Sequence, residues 1–171
     1  MTTTVHDLAA PGRSPATPGG AGQRSRRIEG ARIGWGLLLL AAPTRVLGAT
    51  GARVDTRSVV ITRVLGVRQL TQGLLSGLRP SPEVLAMGVW VDAAHSATAL
   101  GLAVVDPGRA VAGVTDAVVA AGWSWLGLRD LRRAVATPPA HDRVRDALAR
   151  AVLRVAPGGA RLLHLADRAR G

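Results

Sequence analysis

The chain has no cysteine, no phenylalanine and no tyrosine, and only four tryptophans. Without cysteine there can be no disulfide, no thiolate metal site, no iron–sulfur cluster and no thiol nucleophile. Without large aromatics, any core must be built from Leu, Val, Ala and Gly. Such small residues let helix backbones approach closely where packing, rather than exclusion of water, drives association. Lysine and asparagine are absent too, so every cation besides histidine is an arginine. Arginine and alanine have GC-rich codons, and this bias reads as the imprint of a GC-rich genome.

Motifs for several chemistries are also missing. The sequence contains no Gly-x-Gly-x-x-Gly, no P-loop and no Gly-x-Ser-x-Gly nucleophile elbow. No His-x-x-x-His pair or carboxylate-rich metal cluster appears, and of the four histidines only His95 falls in an apolar segment, so paired-histidine haem ligation within one chain is not available. Ser124, between Trp123 and Trp125, reads as a residue of the membrane interface, where tryptophan is enriched, rather than as a nucleophile. No catalytic residue, metal or cofactor is assigned from the sequence.

What is present is apolar bulk in the middle and positive charge at the ends. The 171 residues suffice for one domain with tails. Apolar residues make up 47% before the 21 glycines are counted, whereas soluble domains reach roughly 45–50% with glycine included. The net charge is +11. Residues 1–32 carry five arginines against Asp7 and Glu29, residues 129–171 carry ten arginines against four aspartates, and residues 33–128 are nearly balanced. Basic flanks around an apolar middle suit a membrane domain and argue against nucleic acid as the partner.

Residues 1–27 are rich in Pro, Gly, Ser, Thr and Ala without periodicity, a composition expected to stay disordered. Four apolar segments follow: Ile33 to Ala52, about Arg57 to Leu78, Glu83 to Val105, and Gly108 to Leu128. About 20 residues at about 1.5 Å each span a hydrocarbon core of about 30 Å. In Arg79-Pro80-Ser81-Pro82-Glu83, Ser81 is the expected N-cap, Pro82 fits the first helical position and Glu83 complements the positive helix end. Asp106-Pro107 repeats the device. Such short turns make successive helices antiparallel neighbours.

After Pro138-Pro139, the positions Val144, Ala147, Leu148, Ala151, Val152 and Val155 follow one helical face, with arginines and aspartates on the rest. Pro157-Gly158-Gly159 ends that helix, and Leu162 to Ala169 resumes it. A basic amphipathic helix beside a membrane domain is expected on an anionic lipid surface; packing of its apolar stripe on a protein partner is the competing reading. The expected fold is therefore all-α: a four-helix transmembrane bundle with a C-terminal amphipathic helical tail. The domains expected are a disordered basic N-terminal tail over 1–32, a four-helix membrane domain over 33–128 and a basic amphipathic C-terminal tail over 129–171.

A soluble helical bundle is the rival, because Arg45, Arg63, Arg68, Asp92 and Asp116 interrupt the segments. A charge at a helix centre costs about 2.5–3.5 kcal/mol on insertion scales. Against the soluble reading, the segment from Val84 to Val105 lacks the polar stripe of a surface helix, and that from Ala110 to Leu128 holds one charge, Asp116. Ser25-Arg26-Arg27 ahead of an apolar run resembles a twin-arginine signal, but Glu29 falls where such a signal turns apolar, so cleavage is not expected. Four spans with Arg-rich tails place both termini in the cytoplasm, in a multi-pass protein of the inner (plasma) membrane.

The interrupting charges have both signs and a shared depth. Arg68 lies near the middle of the second span, Asp92 and His95 near the middle of the third, and Asp116 near the middle of the fourth. Isolated charges in lipid are costly, so such residues face the bundle interior and pair. Asp92 and His95 share a helix face, as do Arg68 and Gln72. The expected cluster is Arg68 with Asp92 or Asp116, completed by His95, Gln69 and Gln72. It serves either as an ion-paired network fixing helix register or as a proton or ligand path. Arg45 and Arg63, nearer the outer half, are expected to snorkel to the interface. Gly73-x-x-x-Gly77 would permit close helix contact.

The stretch Arg63-Val64-Leu65-Gly66-Val67-Arg68-Gln69-Leu70-Thr71-Gln72-Gly73, followed by Val91-Asp92-Ala93-Ala94-His95, resembles small four-span membrane proteins of high-GC bacteria, distantly similar to DoxX-like proteins. The resemblance covers about residues 33–130 and implies a four-helix membrane fold without assigning an activity. The functional expectation is a non-enzymatic accessory or partner-binding membrane subunit, with the lipid bilayer and a membrane protein as partners. The alternatives are a small proton- or ligand-handling transporter or redox-associated component, and a soluble basic helical protein.

Overall fold

The computed structural model describes residues 20–77, 80–133 and 143–170, with side chains from Ile28 in the first helix and from Val144 after the last gap. The segment 1–19, Arg79 and the Pro138-Pro139 break lie outside the described residues. Those described form seven α-helices and no strand: α1 Gly20–Ala41, α2 Pro43–Ala49, α3 Thr56–Ser76, α4 Pro82–Val105, α5 Ala110–Arg133, α6 Arg143–Val155 and α7 Gly159–Ala169. A short 3-10 turn, Pro107–Arg109, joins α4 to α5.

Local chemistry sets the helix starts. Asp55 caps α3, its carboxylate accepting from the Ser58 amide at 2.7 Å. Ser81 caps α4 through the Val84 amide at 3.3 Å, with Pro82 opening the helix, as the order Ser81-Pro82-Glu83 predicts. Asp106 departs from that pattern. Its side chain makes no cap bond and instead takes Arg109 at 2.6 Å. Pro43 interrupts the first apolar segment, because proline cannot donate within a helix, and α2 follows as a separate short helix.

The four long helices form two close pairs, α1 on α3 and α4 on α5, and the pairs touch each other far less. Small residues make the close contacts. A Cβ on Gly66 would lie 2.9 Å from the Gly36 carbonyl oxygen, and one on Gly113 would lie 3.0 Å from that of Ala99. Gly73 faces Ile33 of α1, but Gly77 is the C-cap of α3 at φ +67°, so Gly73 and Gly77 do not form one contact face.

The last two helices, α6 and α7, form a hairpin along one end of the α4–α5 pair, while the short α2 packs on α1 and α3. α6 starts where Asp146 meets Ser81, continues past Glu83 through Arg150, and ends where the Trp90 indole donates to the Pro157 carbonyl at 3.1 Å. Here lies the apolar core: Ala86, Leu131, Leu153 and Ala166 bury one another, with Leu85, Met87 and Leu162 packed around. Two stretches, Pro82–Val105 and Pro107–Arg133, are long and apolar enough to cross a membrane, each with a mean hydropathy of 1.3 over its best window. α3, interrupted by Arg57, Arg63 and Arg68, is not among them.

Candidate functional site: a buried polar joint

The middle of the bundle is polar. Asp92 points from α4 into the gap between the helix pairs and is 0% exposed. It lies on the inward stripe Ala86, Val89, Asp92, Ala99, Ala103, whose spacing of three, four or seven residues keeps it on one face. Arg32 of α1 grips its carboxylate with both guanidinium ends, Nη2 to Oδ2 at 2.9 Å and Nη1 to Oδ1 at 3.2 Å. Arg68 of α3 adds Nη2 to Oδ1 at 3.1 Å and reaches the Val91 carbonyl. The Gln72 amide donates to Oδ2 at 3.5 Å, and Gln69 accepts from Arg32 at 3.2 Å.

The formal charges balance, Arg32 and Arg68 against Asp92 and Glu29, whose carboxylate lies 3.7 Å from Arg32 Nε. The face of Trp123, on α5, lies 5.1 Å from the Arg32 guanidinium carbon, a cation–π contact. A neutral, multiply bonded set is what makes burial of four charges tolerable, since each unpaired ion would cost several kcal/mol. Three of the four long helices meet at Asp92, and Trp123 supplies the fourth.

Arg68, Gln69, Gln72 and Asp92 thus come together. His95 and Asp116 do not join them. They form their own pair on the α4–α5 face, His95 Nε2 to Asp116 Oδ2 at 2.7 Å, both half-buried. The reason is directional: the next turn of α4 faces α5, where Ser96 also donates to the Ala117 carbonyl at 2.8 Å. Ser124 is a similar stitch, donating to the Val89 carbonyl at 3.0 Å. Arg45 and Arg63 are exposed.

Arg32 and Glu29 are the residues that the sequence reading left out of the cluster. Both precede the apolar segment and read as tail charges. Contrary to the expectation of a disordered tail over 1–32, helix α1 begins at Gly20 and carries them into the bundle. The available signal was their spacing of three on one helix face directly before the apolar run.

A narrow crevice of about 20 Å³, room for about one water molecule, runs beside the joint, lined by Glu29, Arg32, Gln72, Asp92 and Trp123 among others. Four buried polar atoms on those residues have no hydrogen-bond partner: Glu29 Oε2, Arg32 Nε, Gln72 Oε1 and Trp123 Nε1. Two are donors and two are acceptors. Among the described residues no group of three His, Asp or Glu converges in metal-ligating geometry.

Two further ionic clusters mark the ends. Glu83, 0% exposed, holds Arg150 at 2.7 Å and Arg170 at 2.6 Å, and these also reach Asp167 and Asp146. Bonds from Asp167 and Glu83 push the Arg150 guanidinium further up, and Glu83 does the same to Arg170. At the opposite end Arg109 spans Asp106 and Asp55. The Ser58 amide, with Arg109 nearby, holds the Asp55 carboxyl below the usual range.

Compared with protein-family models, curated proteins and solved structures, the chain matches none of them.

Proposed function

We propose that the chain is a small multi-pass membrane protein in which α1, α3, α4 and α5 all cross the bilayer, acting as a non-enzymatic accessory or partner-binding subunit. One observation carries this reading: the polarity of the bundle is inverted. Arg32, Gln69 and Asp92 are buried at its centre, while Leu37, Leu38, Val60, Ile61, Val64, Val67, Leu100, Leu102, Val104, Val114 and Val118 are exposed around it. In water that arrangement costs twice, once for the dehydrated ions and once for the wetted apolar surface. In a bilayer the apolar belt is solvated by lipid, and paired charges belong inside. Arg-rich tails at one end favour the cytoplasmic side of the inner membrane for both termini. The resemblance to DoxX-like bundles agrees with this arrangement.

Fractionation of the expressed chain tests it. Retention through an alkaline carbonate wash and release only by detergent is the expected result. Recovery in the soluble or washed fraction would sink the membrane reading and leave a soluble basic helical protein.

A second reading, proton or small-ligand handling, is favoured by the four buried polar atoms along the crevice that make no hydrogen bond. Asp92→Asn separates the two. If the joint is structural, folded yield falls. If it handles protons, the variant folds, and proton flux into dye-loaded proteoliposomes changes relative to the parent chain.

A further inference from the structure

Helix α6 packs the wrong way round for a protein in water. Its inward edge carries Asp146, Ala149, Arg150 and Leu153, with Arg150 on Glu83 and Arg170 on Asp146. Its outward stripe is apolar: Val144 is 76% exposed, Leu148 58% and Val155 85%, with Ala147 and Ala151 exposed between them. At about 100° per residue these five positions fall on one side of the helix, and Arg145 and Arg154 flank them on either edge. The neighbouring α7 does the opposite, exposing Arg161, His164, Asp167 and Arg168.

The stripe is not isolated. Arg145 donates to the Leu75 carbonyl at 2.5 Å, which brings the start of α6 beside the end of α3, where Leu74 and Leu75 are also exposed. An apolar surface therefore continues from the bundle's outer belt onto α6. The hairpin has one apolar side and one charged side, each belonging to a different helix. That division matches an element lodged at the membrane interface, with its apolar face about 5–10 Å into the headgroup and acyl boundary.

We infer that the Val144–Leu148–Val155 stripe of α6 is seated in an anionic lipid leaflet beside α3, with Arg145 and Arg154 meeting the headgroups and α7 facing water. This rests on the membrane reading above and names the surface by which the C-terminal hairpin joins the bilayer. Arginine flanking an apolar stripe has the charge complementary to an acidic leaflet. The flanking Arg145 and Arg154 snorkel, keeping their heads at the phosphates while their stems lie along the apolar face.

The cysteine-free chain makes the test clean. Single substitutions Val64→Cys, Leu148→Cys, Val155→Cys and His164→Cys, all at positions exposed on the outside of the protein, would carry an environment-sensitive fluorophore. The full-length protein would be reconstituted into phosphatidylcholine vesicles with and without phosphatidylglycerol. The expected result is blue-shifted emission and quenching by nitroxide lipid at positions 64, 148 and 155, iodide quenching at 164, and deeper quenching at 148 and 155 when the anionic lipid is present. Lipid quenching at 64 but iodide quenching at 148 and 155 overturns the inference and spares the membrane reading. Iodide quenching at all four positions overturns both. Protection at 148 and 155 from both quenchers, with crosslinking between copies, overturns it in favour of a second copy covering the stripe. Equal quenching in the two vesicle types overturns the headgroup assignment of Arg145 and Arg154.

Discussion

Asp92 is the residue on which the bundle turns. Its two guanidinium partners come from different helices of one pair, and it comes from the other pair. Replacing it with alanine leaves the buried Arg32 and the partly buried Arg68 with only Glu29, 3.7 Å from Arg32 Nε, as a counter-charge. Breaking a buried pair from one side costs about 3–5 kcal/mol. Asp92→Ala should therefore lose most of its thermal stability in detergent. Arg68→Met should lose less, since the Arg68 side chain is 23% exposed and Asp92 keeps its two-pronged bond to Arg32. Equal melting temperatures for Asp92→Ala and the parent chain would contradict this. At this scale the sequence revealed half of the joint. Arg68, Gln69, Gln72 and Asp92 are polar residues inside apolar runs, and their cost alone makes them meet. Arg32 is a charge at the edge of a run, where cost says nothing, and only its long side chain and the packing of α1 bring it to Asp92.

At the scale of elements, the glycines separate into those that pack and those that do not. A Cβ on Gly66 would lie 2.8 Å from Leu40 Cγ and 2.9 Å from the Gly36 oxygen, whereas one on Gly34 meets nothing within 4 Å. Overpacking costs about 1–3 kcal/mol, and alanine gains about 1 kcal/mol over glycine in a helix interior. Gly66→Ala should then be destabilising or at best neutral in a thermal melt, and Gly34→Ala stabilising; the reverse order would mean that α1 and α3 are not in close contact. Composition alone predicted that small residues would mediate helix contact. Which glycines do so was not legible, as Gly73 and Gly77 demonstrate: the spacing is right, but α3 ends between them. The caps were more legible, because Ser81-Pro82-Glu83 acts within one turn and needs no distant partner.

For the whole molecule, the C-terminal hairpin is fastened by charge around Glu83 and by the small apolar core of Leu131, Leu153 and Ala166. Glu83→Gln keeps the shape but removes the charge that Arg150 and Arg170 share. Amide exchange should then quicken in α6 and α7 while the middle of α4 and α5 stays protected. Uniform acceleration would mean that the hairpin and the bundle form one cooperative unit. The apolar positions of α6 share one helical face, and that stripe faces outward, while the helix binds its neighbours through the edge bearing Asp146 and Arg150.

Residues a turn or less apart already marked the long apolar helices, the Ser81-Pro82 start of α4 and the short connections, because these need no distant partner. The sequence by itself also determined that buried charge had to be neutralised, since the cost of an unpaired ion holds wherever the partner comes from. The tertiary structure decided which charges pair: Arg32 rather than Asp116 completes the joint, His95 turns to Asp116, and α6 turns its apolar face away from the protein. Those outcomes depend on helix rotation and crossing, set by contacts such as Gly36 on Gly66 that lie far apart in the chain, and a one-dimensional pattern fixes spacing along a helix but not which neighbour each face meets.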